Sequence, residues 1–228
     1  MDFQVRISET ALDDFHPDRF PRILGIVQVL LPDTETTSPI RIQVERRLND
    51  DEFWDFCAQN PGLRIEREAS GDLLIMPPAG AETGFRNSDL IAQLTTWAKQ
   101  DGRGRVFDSN TEYILPDGAA LSPDASWVAA ERLDKFSKRQ KKRFLPLCPD
   151  FLVELTSPTD RLPRVKTKME QWMSNGARLG WLIDADRQTI YIYRPAQQPE
   201  PLTGVDYVLG EGPVEGFRLE LSAIWQGL

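Results

Sequence analysis

The sequence predicts an α/β fold (α+β in the broader sense), and three stretches carry that prediction. Residues 150–184 contain an apolar run at 151–155, an amphipathic stretch and a second apolar run at 181–184, which is the pattern of strand, helix and strand. Another apolar run begins after Pro123, and proline is tolerated where a strand begins. Apolar residues at helical spacing between positions 87 and 100 predict a second amphipathic helix.

The remaining elements follow from local signals taken in chain order. Residues 23–31 and 40–44 are predicted strands joined by a polar loop, and 50–59 is a predicted helix with Asn49 or Asp50 as its N-cap. A hairpin is predicted around Ser70-Gly71, with a Gly/Pro loop after it at 77–86. After the helix at 87–100, we predict strands at 106–107 and 112–115, a helix in two pieces over 130–144, a hairpin of 181–184 with 189–193, strands at 206–209 and 217–221, and a short terminal helix.

Composition sets the broad class of protein. The chain has 228 residues, of which 40% are hydrophobic and 27% are charged, so it is long enough to bury a substantial core and is ordinary for a globular protein. No apolar run approaches the length of a membrane span, and the N-terminus lacks the basic start and apolar stretch of a signal peptide. We therefore expect a cytoplasmic protein without membrane contact.

The scarcity of histidine and cysteine excludes several kinds of site. The chain has one histidine, His16, and two cysteines, Cys57 and Cys148, which are not in a CxxC spacing. The chain therefore lacks the residues needed for a Ser–His or Cys–His hydrolase, a histidine-based zinc site or a disulfide framework. Any hydrolytic chemistry must use carboxylates, lysine and a metal ion.

Two carboxylates stand where apolar residues would be expected. Glu154 lies inside the apolar run 151–155, where an ionised carboxylate costs several kcal/mol unless a cation, a metal or hydrogen bonds compensate it. Asp124 directly follows Pro123 at the start of another strand. Two such carboxylates are a common way to hold a hard divalent cation such as Mg²⁺, which makes this pair the first candidate site.

A lysine on the helix that follows Glu154 is the third candidate. If 164–175 is helical, Val165, Met169 and Trp172 form one apolar stripe, and Lys168 lies at its edge one turn before Trp172. Lys168 then either leans toward the sheet beside the two carboxylates or extends its ammonium into water.

A set of motifs spread over residues 123–184 resembles the pattern of a known family. The motifs are Pro123-Asp124, Val153-Glu154-Leu155-Thr156-Ser157-Pro158, Lys168, Trp172, Gly176 and Gly180-Trp181-Leu182-Ile183-Asp184. In these motifs the chain is similar to the Uma-two family of endonucleases, which belongs to the PD-(D/E)XK, or restriction-endonuclease-like, superfamily. The resemblance implies a mixed β-sheet core flanked by helices over residues 48–228, with residues 1–47 as an N-terminal arm or hairpin extension.

The resemblance also implies an activity and a set of site residues. Asp124 and Glu154 are expected to bind Mg²⁺, or Mn²⁺ in its place, for hydrolysis of DNA phosphodiester bonds. Thr156 stands two residues after Glu154, where the superfamily has its lysine, so Lys168 is the expected catalytic lysine. Glu82, near the start of the first core helix, is expected to assist. DNA is the expected substrate, and a homodimer is expected by analogy with nucleases that cut two strands.

Other interpretations remain open at this point. The net charge of −8 and Thr156 favour a catalytically inactive nucleic-acid-binding or regulatory module that retains the fold. In a purely structural protein, Glu154 would pair with an arginine such as Arg161 or Arg164. Glu82 is also explained as an acidic residue at a helix start, where its negative charge interacts favourably with the helix dipole. One dense basic cluster meets a phosphate backbone or is a solvated helix face; it contains Lys135, Lys138, Arg139, Lys141, Lys142 and Arg143.

Overall fold

The computed structural model describes residues 28–30, 39–157 and 160–228. Contacts along the chain divide it into two compact units, one formed by 1–78 with 117–121 and the other by 79–116 with 122–228. The division into an extension, 1–47, and a domain, 48–228, stays a prediction, and His16 lies outside the described residues.

The first unit is built on antiparallel strands. β1 (Gln28–Leu30) pairs with β2 (Ile40–Gln43), β2 with β4 (Leu73–Met76), β4 with β3 (Arg64–Arg67), and β3 with β7 (Ala120–Leu121). Both predicted strands of the N-terminal hairpin therefore exist where they are described; 23–27 and 31 lie outside the described residues.

Helix α1 (Asp50–Gln59) of this unit begins with a complete capping box. The Asn49 side chain accepts the backbone N–H of Glu52, and the Glu52 carboxylate accepts the backbone N–H of Asn49. Two backbone donors are thereby satisfied at the helix start. Asn49, one of the two predicted N-caps, is the residue that caps α1.

A buried arginine connects the segments of the first unit. The Arg67 side chain is fully buried and donates to Asp50 Oδ1 at 2.6 Å, to the Leu48 carbonyl at 2.9 Å and to the Gly118 carbonyl at 3.2 Å. Its guanidinium also lies 4.9 Å from the centre of the Phe53 ring. The planar guanidinium, with five donors, suits three acceptors that come from distant parts of the sequence.

The second unit contains the predicted mixed sheet. Its strands occur in the order β12-β11-β10-β9-β8-β5, and β9 and β10 are parallel while the other neighbours are antiparallel. The strands are β5 (Gly104–Asp108), β8 (Ala125–Ala129), β9 (Phe151–Leu155), β10 (Leu179–Asp184), β11 (Thr189–Tyr193) and β12 (Glu200–Thr203). The short β6 (Tyr113–Ile114) lies beside Leu145, and β13 (Tyr207–Leu209) pairs with β14 (Arg218–Glu220).

Helices cover both faces of this sheet. α2 (Ala81–Asp101) packs its buried residues into the apolar core together with β13, β14 and α5 (Ser222–Gln226), while α4 (Leu162–Ser174) connects the parallel strands β9 and β10. Every residue of β8, β9 and β10 is buried as a result. Across the described ranges, no helix combines the length and the apolar character that crossing a membrane requires.

Two helix predictions differ from the structure. α2 begins six residues earlier than position 87, after Gly80, because Thr83 and Arg86 already lie on its buried face and Gly84 does not interrupt it. Over 130–144, only α3 (Ala130–Leu133) and a short 3₁₀ helix at Gln140–Lys142 form. Apart from Leu133, these two segments have no buried residue, so the basic stretch gains little from packing as a helix.

Replacing Arg67 with methionine should destabilise the first unit. The loss of the guanidinium removes the donor to the buried Leu48 carbonyl and the cation beside Asp50, whereas the Gly118 carbonyl keeps its hydrogen bond from Arg47, so we expect the free energy of unfolding to fall by about 2 kcal/mol. Arg46→Met is the control, because Arg46 makes a solvent-exposed ion pair with Glu52, and the loss of such a pair should affect stability far less. Urea unfolding measures both variants, and equal losses would contradict the role given to Arg67.

Candidate active site

Strand alternation in β9 directs Glu154 away from the main apolar core. Phe151, Val153 and Leu155 belong to that core, so Leu152 and Glu154 point to the opposite face, where α4 lies. Glu154 is only 5% exposed. The apolar pattern of this strand therefore delivers one carboxylate into a buried position that faces a helix.

Two side chains of α4 bind the Glu154 carboxylate. Trp172 donates its indole N–H to Glu154 Oε1 at 2.8 Å, and the Lys168 ammonium lies 3.0 Å from the same oxygen. Lys168 also donates to the Ser122 carbonyl at 2.9 Å. Its ammonium thus faces the carboxylate rather than extending into water. Arg161 and Arg164, the partners of Glu154 in the purely structural alternative, are exposed.

Asp124 lies opposite Glu154 across the two neighbouring strands. Ala125 pairs with Val153 and Ser126 with Leu152, so the next step of the register sets Asp124 against Glu154, with Cβ atoms about 5 Å apart in such a pair. Asp124 Oδ2 accepts the backbone N–H of Leu155 at 2.8 Å. The structure therefore brings together three of the four predicted site residues, Asp124, Glu154 and Lys168.

The packing of α4 on the sheet fixes where Lys168 and Trp172 lie. Val165, Met169 and Trp172 form the buried stripe, and Lys168 precedes Trp172 by one turn, so both side chains reach the same carboxylate. Gly180 of β10 leaves room for the end of the Met169 side chain, because a Cβ atom there would lie 2.6 Å from Met169 Cε. A larger residue at this position would require the flexible Met169 side chain to shift.

A second layer holds the Trp172 ring. Tyr113 packs edge-on against Trp172 with ring centres 6.4 Å apart, and its hydroxyl lies 2.8 Å from Ser126 Oγ. Burial raises the pKa of Tyr113 well above its usual value, so the phenol stays neutral at all ordinary pH values. Cys148 Sγ contacts the Trp172 carbonyl at 3.5 Å. The indole that positions Glu154 is thus itself fixed by packing.

Glu82 and Asp184 have partners of their own. Glu82 lies in the first turn of α2, its side chain is 44% exposed, and it forms an ion pair with Arg86 at 2.8 Å. Asp184 accepts from the Arg187 guanidinium at 2.8 Å at the turn after β10. The ion pair of Glu82 thus lies along its own helix, and the assisting role of Glu82 stays a prediction.

Asn87 and Ser122 are neighbours of the site that the sequence did not reveal. Asn87, on α2, donates its side-chain N–H to Asp124 Oδ1 at 3.3 Å. The predicted helix began at Asn87, which concealed that this residue lies well inside α2. Ser122 contributes only its backbone carbonyl to Lys168, and backbone contacts leave no signal in residue type.

The donor set fits a hard cation that keeps part of its water shell. Within the described ranges, no group of three or more His, Cys, Asp or Glu residues is arranged to hold a metal ion. Asp124 and Glu154 offer two carboxylates, and Mg²⁺ is commonly bound by one or two carboxylates together with water and substrate phosphate. The two residues therefore fit Mg²⁺ or Mn²⁺ better than a cation that requires a complete protein cage.

The basic cluster begins at the end of β8 that is remote from Asp124. Its residues follow α3, which starts directly after Ala129, whereas Asp124 precedes the other end of the strand. Five strand residues separate the two ends by about 15 Å. Most of the cluster is exposed, namely Lys135, Lys138, Arg139, Lys141 and Lys142.

Comparisons with known proteins agree with this architecture. The model of the Uma2 family, described as "putative restriction endonuclease", matches residues 50–222. A crystal structure of "a putative nuclease belonging to DUF820" from Anabaena variabilis ATCC 29413 matches 71% of this chain and 89% of its own chain, with 21% identity and a TM-score of 0.60. That likeness shows a shared fold, whereas a search of curated proteins finds no match.

Removal of the lysine should destabilise the protein more than removal of the whole ion pair. In Lys168→Met, a buried carboxylate loses its cation, so we expect a loss of about 3 kcal/mol in the free energy of unfolding. The Glu154→Met, Lys168→Met double variant should recover at least about 1 kcal/mol of that loss, because no buried charge remains uncompensated.

Lys166→Met is the matched control on the same helix. Lys166 contacts only the face of the Tyr191 ring among the described contacts, at 4.0 Å, and such a pair contributes about 0.5–1 kcal/mol. The wild type, Glu154→Met, Lys168→Met and the double variant form a double-mutant cycle, and urea unfolding measures these four proteins and the Lys166→Met control. Additive losses for the two single substitutions would show that the pair is not coupled.

Proposed function

The chain belongs to the Uma2 family, and on that premise we propose that it is a metal-dependent endonuclease that hydrolyses DNA phosphodiester bonds. The family model covers residues 50–222, which include every predicted site residue. The observation that carries the proposal is the contact of Lys168 with Glu154 at 3.0 Å, with Asp124 at the adjoining position of the next strand. Two carboxylates at adjoining ends of neighbouring strands, with a lysine from the helix that packs over them, are the groups that this chemistry needs.

Asp124 and Glu154 are the residues that would hold Mg²⁺ or Mn²⁺. When bound, the ion lowers the pKa of a water molecule and stabilises negative charge on the phosphate. Asp124 is oriented by the backbone N–H of Leu155, and Glu154 by the indole of Trp172, so both carboxylates are held before any ion or DNA arrives. This preorganisation removes a cost that flexible carboxylates would pay on binding.

Lys168 contributes positive charge rather than a base. Its ammonium donates to Ser122 and lies against Glu154, which are contacts of a protonated lysine. A cation at this position favours deprotonation of a nearby water molecule and stabilises the charge that develops on the phosphate as the P–O bond breaks. The position two residues after Glu154, occupied by Thr156, is then not needed for a lysine, because α4 supplies one.

Exposed arginines at the start of α4 support DNA as the substrate. Arg164 precedes Lys168 by four residues, or about 6 Å along α4, so these two lie along one side of the helix, and Arg161 is the extended residue directly before it. Arg161 and Arg164 are exposed cations that would contact phosphates next to the one that is cleaved.

Cleavage of DNA tests the proposal directly. We expect the wild type to cut plasmid or single-stranded DNA with Mg²⁺ or Mn²⁺, and Asp124→Ala to lower the rate by at least about a thousandfold, because an ion and its water would no longer be held. Asp186→Ala is the control, since Asp186 is an exposed carboxylate at the turn after β10. DNA binding without cleavage by the wild type would instead favour the inactive nucleic-acid-binding module.

The arginines of α4 should govern the salt dependence of DNA binding. We expect Arg161→Ala and Arg164→Ala each to weaken binding and to reduce the slope of log K against log salt concentration by about 1, as for one lost phosphate contact. Fluorescence anisotropy with Ca²⁺ in place of Mg²⁺ measures this without cleavage. Arg178→Ala is the control, because Arg178 is exposed at the opposite end of the sheet, beside Asp150. An equal effect of Arg178→Ala would argue against a localised contact.

The predicted homodimer remains a proposal as well. Two copies of the site would be needed to cut both strands of a duplex in one encounter. Light scattering with and without DNA measures whether a second copy is recruited.

A further inference from the structure

The two polar atoms of the Asn87 side-chain amide have different environments. Its side-chain nitrogen lies 3.3 Å from Asp124 Oδ1, and its side-chain oxygen is buried and has no hydrogen-bond partner among the residues that the structure describes. A buried amide oxygen without a partner is unfavourable, and most such oxygens in proteins are satisfied by a protein group, a water molecule or an ion. The amide group that carries this unsatisfied oxygen is thus hydrogen-bonded, through its nitrogen, to the predicted metal ligand Asp124.

The orientation of this amide follows from the charge of Asp124. An ionised carboxylate only accepts hydrogen bonds, so the amide turns its nitrogen toward Asp124 and its oxygen away. A divalent cation at Asp124 reverses this preference, because a cation attracts the amide oxygen and repels the N–H group. The terminal torsion of an asparagine side chain is soft, so the amide can turn over while its backbone stays in place.

We propose that Asn87 is a third protein ligand, through its side-chain oxygen, of the divalent cation that Asp124 and Glu154 bind. This inference rests on the proposed function and adds a residue to it. Carboxylate and amide oxygens are both ligands of hard cations. Because the described residues offer no third His, Cys, Asp or Glu at this position, a neutral amide supplies a further oxygen without adding charge repulsion between ligands.

The inference also reassigns the contribution of α2 to the site. Glu82 was the residue expected to assist from this helix, but its carboxylate pairs with Arg86. Asn87 lies on the same helix and contacts Asp124 directly. α2 therefore contributes to the centre through an amide, and Glu82 is left to its ion pair with Arg86.

Titration of the metal-free protein with Mn²⁺ in the absence of DNA tests this role. We expect Asn87→Ala to weaken Mn²⁺ binding by at least about tenfold, as the loss of a supporting group at a metal site commonly does. Asn87→Asp should keep or exceed the affinity of the wild type, because it retains a side-chain oxygen at the same place. Ser88→Ala is the matched control, since Ser88 is the exposed neighbour on α2 and donates its hydroxyl to the Gly84 carbonyl.

The aspartate variant separates a ligand from a hydrogen-bond donor. If Asn87 only donated to Asp124, Asn87→Asp would lose that donor, repel Asp124 and bind Mn²⁺ as weakly as Asn87→Ala, which would overturn the inference. Unchanged affinity in Asn87→Ala would overturn it too. Urea unfolding of the metal-free variants shows whether each one is folded. If Asn87→Ala is unfolded, the Mn²⁺ affinity of Asn87→Asp alone tests the inference.

Failure of the inference can be told apart from failure of the proposed function. If the wild type and Asn87→Ala bind Mn²⁺ equally well and Asp124→Ala does not bind it, only the role of Asn87 is refuted. A folded wild type that binds no Mn²⁺ would refute the metal-dependent function and the inference together.

Discussion

The burial of one carboxylate, Glu154, in a central strand is the constraint on which this part of the structure depends. An uncompensated charge there would cost several kcal/mol, a large share of the stability of a typical domain. The compensation comes from α4, which supplies the Lys168 ammonium and the Trp172 indole to the same oxygen. The position of α4, the room that Gly180 leaves for Met169 and the packing of Tyr113 on Trp172 all support that one contact.

The two buried carboxylates at the ends of β9 have different cationic partners, and each partner suits a different role for the carboxylate. Asp150, just before the strand, is 1% exposed and is bound by Arg132 at 2.9 Å and by the backbone N–H of Ala129 at 3.0 Å. Guanidinium groups stay charged and match a carboxylate with a rigid set of donors, which suits a structural pair. Glu154 instead faces a lysine, a compact ammonium that can redirect its donors, which suits a site where charge develops during a reaction.

Metal, lysine and DNA contacts would all lie at one end of the sheet in this protein, although its net charge is −8. An acidic surface repels DNA over most of its area, so productive contact depends on local cations. Arg164 lies one helical turn before Lys168 and Arg161 directly precedes α4, whereas the denser basic cluster begins at the far end of β8. Charge density along the sequence was therefore a poor guide to distance from the site.

The sequence by itself determined the elements that repeat a strong pattern and the residues that break one. The apolar runs of β8, β9 and β10 and the stripe of α4 identified the sheet and its crossover helix, and Glu154 was recognisable because a charge interrupts an apolar strand. Helix starts were less accessible: Gly80, Gly84 and two prolines at 77–78 suggested a loop, and only burial of Thr83 and Arg86 extended α2 over that segment. That error removed Asn87 from consideration.

Only the tertiary structure decided how the candidate residues meet. Spacing on α4 left Lys168 free to face either water or the sheet, and the choice was made by the Ser122 carbonyl and Glu154, which are remote in sequence. The register of β8 against β9 set Asp124 opposite Glu154, and α2 brought Asn87 to Asp124. The physical reason is that residue type and periodicity encode which face of an element is buried, whereas the partner found on that face depends on packing between elements far apart in the chain.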